Sequence, residues 1–146
     1  MLSVPRLASA VDRGDLLVAE TEAGPVGFAL LGVLGDDAHL CELDVVPEAA
    51  GRGIGRALIA RSAELAAARG HGRLVLTTFR DVPFNAPFYA RLGFREVGGD
   101  SAGPALDAIL RAEAEAGFPA DARCAMALGL DGAGAGHRDP GEEEHP

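Results

Sequence analysis

The residues best suited to chemistry in this chain are six in a row, Gly51-Arg52-Gly53-Ile54-Gly55-Arg56. The glycines stand where a helix begins, and a helix that merely needed starting would carry Ser, Thr or Asp there. Glycine costs helix stability, but it leaves backbone N–H groups uncovered at the positive end of the helix dipole, which is a place for phosphate. Arg52 and Arg56 add positive charge. Two phosphate motifs are excluded by spacing. The chain has no lysine and no GxxxxGK[ST] run, and GxGxxG fails because Arg56 follows and the gap from the preceding strand is too long for that tight turn. On these residues alone a tight strand-to-helix turn and an anion cradle both remain open.

A second group is acidic. In the strand read from His39 to Val46, alternation puts Leu40, Glu42 and Asp44 on one face and Cys41, Leu43 and Val45 on the other. Two carboxylates in mid-strand are costly beside an apolar core unless solvated or used, so their face borders a cleft or is simply exposed surface. The four histidines, His39, His71, His137 and His145, have no Ser or Cys partner in a nucleophile motif such as GxSxG, which argues against triad hydrolysis. Cys41 and Cys124 are far apart and lack metal-ligand spacing. No disulfide framework and no metal site is expected, and both thiols read as buried apolar residues.

The elements that must position these groups are legible in order. Pro5 to Arg13 fits a short helix, and Leu16 to Thr21 a strand. Val26 to Leu34 is a strand closed by the hairpin signal Gly35-Asp36-Asp37. The next strand ends at Pro47. Ile54, Leu58, Leu65 and Ala68 then keep a helical period to about Arg69, with Gly70 as a left-handed cap. Arg73 to Phe79 is β-branched and aromatic, and the helix before it makes a βαβ unit with the strand ending at Val46. Its ligand crevice opens at the strand C-termini. After the loop Arg80 to Asn85, Asn85 reads as an N-cap with Pro87 in the first turn and Gly93 as terminator. A strand at Phe94 to Val97, a helix from Pro104 to Ala116 ended by Gly117, and a strand from Ala122 to about Leu130 follow.

Composition bounds the rest. At 146 residues this is one domain, read as residues 1–130. The net charge is −9, and the tail from Asp131 to Pro146, with five acids against one arginine, supplies −4 of it. That tail of Gly, Pro and acid is expected to be disordered. No basic stripe suits nucleic acid, no segment reaches a membrane span, and no secretory signal stands at the N-terminus, so the expectation is a cytoplasmic protein.

Two motifs, in this order, resemble the GNAT family of N-acetyltransferases. Ala50 to Leu58, AGRGIGRAL, resembles the family's pyrophosphate loop, and Asn85 to Phe94, NAPFYARLGF, resembles its later helix and strand. The resemblance covers about Leu16 to Val97. It implies an α/β fold, a mixed sheet built around a central βαβ acetyl-CoA-binding unit, with the family's first strand and first helix missing from this short N-terminus. It implies acetyl-CoA as co-substrate, no metal, and a small-molecule or protein amine as acceptor. By resemblance the cofactor lies against Leu43, Asp44, Val45 and the run Gly51, Arg52, Gly53, Ile54, Gly55, Arg56. Tyr89, the lone tyrosine, is implied to protonate the departing thiolate, and Glu42 to take the amine's proton. The family's contacting Asn usually stands about seven residues before the tyrosine, where this chain has Val82. Asn85 therefore reads as a cap first and a cofactor ligand second. Ala50 replaces the family's usual Arg or Gln, which leaves a second reading, an acyl-CoA-binding module without turnover. An unpaired sheet edge left by the missing strand implies a homodimer, or else a marginally stable monomer.

Overall fold

The computed structural model describes residues 15–22, 24–119 and 121–130. The expected helix Pro5 to Arg13 and the acidic tail lie outside them. Among the described residues six strands form one mixed sheet: β1 (Asp15–Thr21), β2 (Gly24–Leu34), β3 (Asp37–Val45), β4 (Arg73–Phe79), β5 (Arg95–Val97) and β6 (Arg123–Gly129), in the order β1-β2-β3-β4-β6-β5. All neighbours are antiparallel except β3 and β4, which are parallel, as the intervening helix α1 (Ile54–Ala68) requires. Helices α2 (Ala86–Arg91) and α3 (Pro104–Glu115) complete the set. The hairpin between β2 and β3 turns on Gly35 at φ 61°, and Gly70 closes α1 at φ 89°.

The central strands are buried on both faces, and alternation divides them between two cores. Leu74 and Leu76 of β4 join Cys124 and Met126 of β6, Leu58 and Ile59 of α1, and Tyr89 of α2 on one face. On the other, Val75, Ala125 and Ala127 pack with Leu106 of α3. β6 enters between β4 and β5, so the last strand separates its two antiparallel neighbours.

β3 and β4 are joined at one end only. Their paired positions are Ala38 with Leu74 and His39 with Val75, after which they part. The closed end is held by Arg73, which donates to both carboxylate oxygens of Asp37 at 2.8 and 3.3 Å and to the carbonyls of Ser101 and Ala102 at 2.7 and 2.8 Å. The open end is the crevice expected from the βαβ unit.

One sequence expectation is overturned on β3. The β2–β3 register pairs Leu31 with Leu40 but Leu30 with Glu42, so Cys41 is an extra residue in a β-bulge. A one-residue insertion reverses alternation beyond it. Leu40 therefore shares the α1 side with Leu43 and Val45, and Glu42 and Asp44 lie opposite, apart from Leu40. Cys41 itself is exposed, not buried as its sequence context suggests, whereas Cys124 is buried.

Candidate active site

The glycine-rich loop leaves main-chain donors uncovered at a helix start. Gly51 and Gly53 have φ of 82° and 79°, which side-chain-bearing residues rarely adopt, and a Cβ at either would meet nothing within 4 Å. These glycines serve the turn and leave open space in front of it. Gly53 is the N-cap of α1 and no side chain caps the helix. The first intrahelical bond runs from Ala57 N–H to the Gly53 carbonyl at 3.0 Å, so the N–H groups of Ile54, Gly55 and Arg56 precede the ladder and remain available. Arg52 and Arg56 are exposed and make no ion pair among the described residues. Gly55 differs from Gly51 and Gly53 in having neighbours. A Cβ there would stand 3.4 Å from the Phe88 ring and 3.9 Å from Val45, in ordinary van der Waals contact, so α1 lies close against α2 and β3 at this point.

Three arginines elsewhere are already engaged. A hollow of about 340 Å³ beside α3 and β6 is lined by Arg80, Arg111 and Arg123. Each is held by a carboxylate, Glu96 at 2.6 Å, Asp107 at 3.0 Å and Glu113 at 3.0 Å respectively. The positive charge of that hollow is therefore already paired, whereas that of Arg52 and Arg56 at the loop is not, among the described residues.

Beside the loop, the crevice between β3 and β4 is flanked by main-chain donors. Val46 N–H bonds the Val26 carbonyl at 2.8 Å. Since backbone groups alternate direction along a strand, the N–H groups of Leu43 and Val45 face away from β2, toward the side from which β4 has diverged. The carboxylates of Glu42 and Asp44 are exposed on the face opposite α1. There a groove of about 660 Å³, lined by Leu16, Val18, Val26, Phe28, Asp44 and Val45, runs up to the crevice.

Tyr89 lies on α2, on the α1 side of the sheet, only 8% exposed and edge-on to Phe88 and Phe94 at ring distances of 5.1 and 5.4 Å. Its hydroxyl has no hydrogen-bond partner among the described residues, and burial pushes its pKa up to about 12. The phenol thus stays protonated at any physiological pH. Asn85 stands at the N-cap of α2, but its side chain makes no capping bond, so it caps in position only.

One pair escaped the sequence reading. Cys41 Sγ lies 3.6 Å from His39 Nδ1 and 3.7 Å from the His39 carbonyl, so this histidine does have a cysteine partner. The signal was the i, i+2 spacing on a strand, which puts both side chains on one side. Among the described residues no group of three or more His, Cys, Asp or Glu side chains could hold a metal, and no helix is long and apolar enough to cross a membrane.

Comparison with known proteins gives consistent results. The profile described as acetyltransferase (GNAT) domain matches residues 12–96. The mycothiol acetyltransferase of Clavibacter sepedonicus is 37% identical over 90 residues, which are 61% of this chain and 30% of that protein. The chain thus spans under a third of that relative's length. The crystal structure of a nourseothricin acetyltransferase superposes with a TM-score of 0.63 at 26% identity, covering 82% of this chain and 67% of that one. The PaiA N-acetyltransferase of Thermoplasma acidophilum, solved in complex with coenzyme A, gives a TM-score of 0.56 at 20% identity, covering 79% and 60%.

Proposed function

This chain belongs to the GNAT acetyltransferase family, and on that premise we propose that it moves an acetyl group from acetyl-CoA to an amine. The observation that carries the reading is the parting of β3 from β4 after His39 and Val75, directly beside a helix start with free N–H groups. The pyrophosphate is held by the N–H groups of Ile54, Gly55 and Arg56 together with Arg52 and the Arg56 side chain. Leu43, Asp44 and Val45 supply the strand against which the thioester arm lies, and one of the N–H groups that this strand turns toward the crevice, that of Val45, polarises its carbonyl. The amine enters from the groove bearing Asp44, Glu42 on the same face of β3 takes its proton, and Tyr89 gives one to the departing thiolate from the α1 side. Asn85 is kept as a secondary contact of the cofactor. The acceptor is a small molecule or a protein amine, and the acidic surface weakly favours a cationic one.

Ala50 supports the second reading, binding without turnover, because one side chain of the family's loop is missing while its backbone part remains. The two readings part on rate and not on affinity. Calorimetry with coenzyme A should show binding by the wild-type protein and its loss in Gly53→Asp, which adds bulk and like charge at the loop. Equal binding by both would remove the loop assignment. A screen of amines with a free-thiol assay then separates enzyme from binding module.

A further inference from the structure

The Cys41–His39 pair belongs to no step described so far. It sits on β3 where pairing with β4 ends, His39 being the last paired residue and Cys41 lying beyond it, on the side of the sheet that carries Glu42 and Asp44. The bulge brings the thiol to the surface, and Gly32 on β2 makes room for it, since a Cβ there would come within 3.3 Å of the sulfur. His39 is only partly exposed, and Nδ1 at 3.6 Å is within reach of an S–H donor.

We propose that Cys41 is an acyl-accepting nucleophile with His39 as its base, so that the acetyl group passes from coenzyme A to the Cys41 sulfur before it reaches an amine. The inference rests on the acetyl-CoA reading above and adds a covalent step to it. The Cys41 sulfur attacks the thioester carbonyl carbon while its proton moves to His39 Nδ1. The new carbon–sulfur bond forms, the bond to the coenzyme sulfur breaks, and the coenzyme leaves as thiolate. That thiolate takes its proton from Tyr89, and the proton held on His39 replaces it by way of solvent. The amine then attacks the acyl-cysteine, forming the amide, and Cys41 recovers a proton as the amine loses one. Chemistry favours these partners in these roles. Burial lowers the His39 pKa, which keeps the imidazole neutral and able to accept, although the Glu113 charge pulls the other way. Burial and the neighbouring Glu42 raise the Cys41 pKa, so the thiol needs a base to become nucleophilic. The N–H group of Leu43, two residues further along the same strand and turned toward the crevice, is the main-chain donor nearest an oxyanion formed at Cys41.

The chain contains no lysine, and acetylation of its N-terminal amine is told from acetylation of a thiol because an amide resists neutral hydroxylamine. Purified protein is mixed with acetyl-CoA and no amine, free thiol release is followed, and the intact protein is weighed. The expected result is a burst of one coenzyme thiol per chain and one acetyl group on the protein, removed by neutral hydroxylamine. The acetyl should be absent from Cys41→Ala, retained in Cys124→Ser, and formed roughly 10²-fold or more slowly in His39→Gln. Coenzyme A binding is measured on each variant by calorimetry. Wild-type protein that binds coenzyme A yet takes no acetyl, or Cys41→Ala that still takes it, overturns the relay and leaves direct transfer standing. Wild-type protein that does not bind coenzyme A overturns the acetyl-CoA reading and the relay with it.

Discussion

Tyr89 concentrates two demands on one side chain. Its ring packs against Phe88 and Phe94, and its hydroxyl is buried without a partner among the described residues. Tyr89→Phe keeps the ring, so coenzyme binding and folding should persist while kcat falls by roughly 10²- to 10⁴-fold with a confirmed acceptor. Unchanged turnover would mean that water protonates the thiolate. The same residue predicts a pH effect. An unfolded tyrosine ionises near its ordinary pKa of about 10, while the folded one holds its proton to about 12. Stability from this group is therefore complete below pH 10 and is lost as pH rises toward 12. The loss is on the order of 2–3 kcal/mol, because the unfolded state gives up the proton first. Denaturant midpoints measured across that window should fall more steeply for the wild-type protein than for Tyr89→Phe, and parallel slopes would refute the assignment.

At the scale of elements, the crevice exists because β3 and β4 are fastened at one end and free at the other. Arg73 is the fastening, with a two-pronged carboxylate contact to Asp37 and two carbonyls beyond it. Arg73→Ala should cost about 1–3 kcal/mol in chemical denaturation, since it strips partners from a partly buried carboxylate and two carbonyls. A loss within error would show that the strands are held by packing alone. Gly27 acts at the other end. A Cβ there would stand 2.8 Å from the Asp44 carbonyl, so Gly27→Ala must push β2 from β3 beside the Val45 N–H. A stability loss of about 1–3 kcal/mol is expected, with weaker coenzyme binding. Full retention of both by Gly27→Ala would exclude this close contact.

For the whole molecule, β1 lies at the edge of the sheet among the described residues, and an open edge invites pairing with a second copy. The predicted homodimer would make the melting temperature rise with protein concentration, and a concentration-independent, monodisperse monomer would refute it. The sequence by itself determined the kinds of element and their order. The period of α1, the breaks at Pro47, Gly70 and Gly93, and the alternation of Cys124 and Met126 are local properties, written in neighbouring residues. It also singled out the glycine loop as a candidate, because a helix start with glycines in place of a cap is unusual wherever it occurs, and Tyr89 by the resemblance of the run from Asn85 to Phe94 to the family's later helix and strand. Only the tertiary structure decided which side of β3 each residue occupies. Strict alternation puts Leu40 with Glu42, but the bulge at Cys41 depends on how β2 registers against β3, and register is a property of two strands together. That single extra residue moves Leu40 into the core with Leu43 and Val45, leaves Glu42 and Asp44 on the open face, and brings Cys41 out beside His39. The entry of β6 between β4 and β5 was likewise beyond local pattern, because β4 and β6 are joined by contacts more than forty residues apart in the chain.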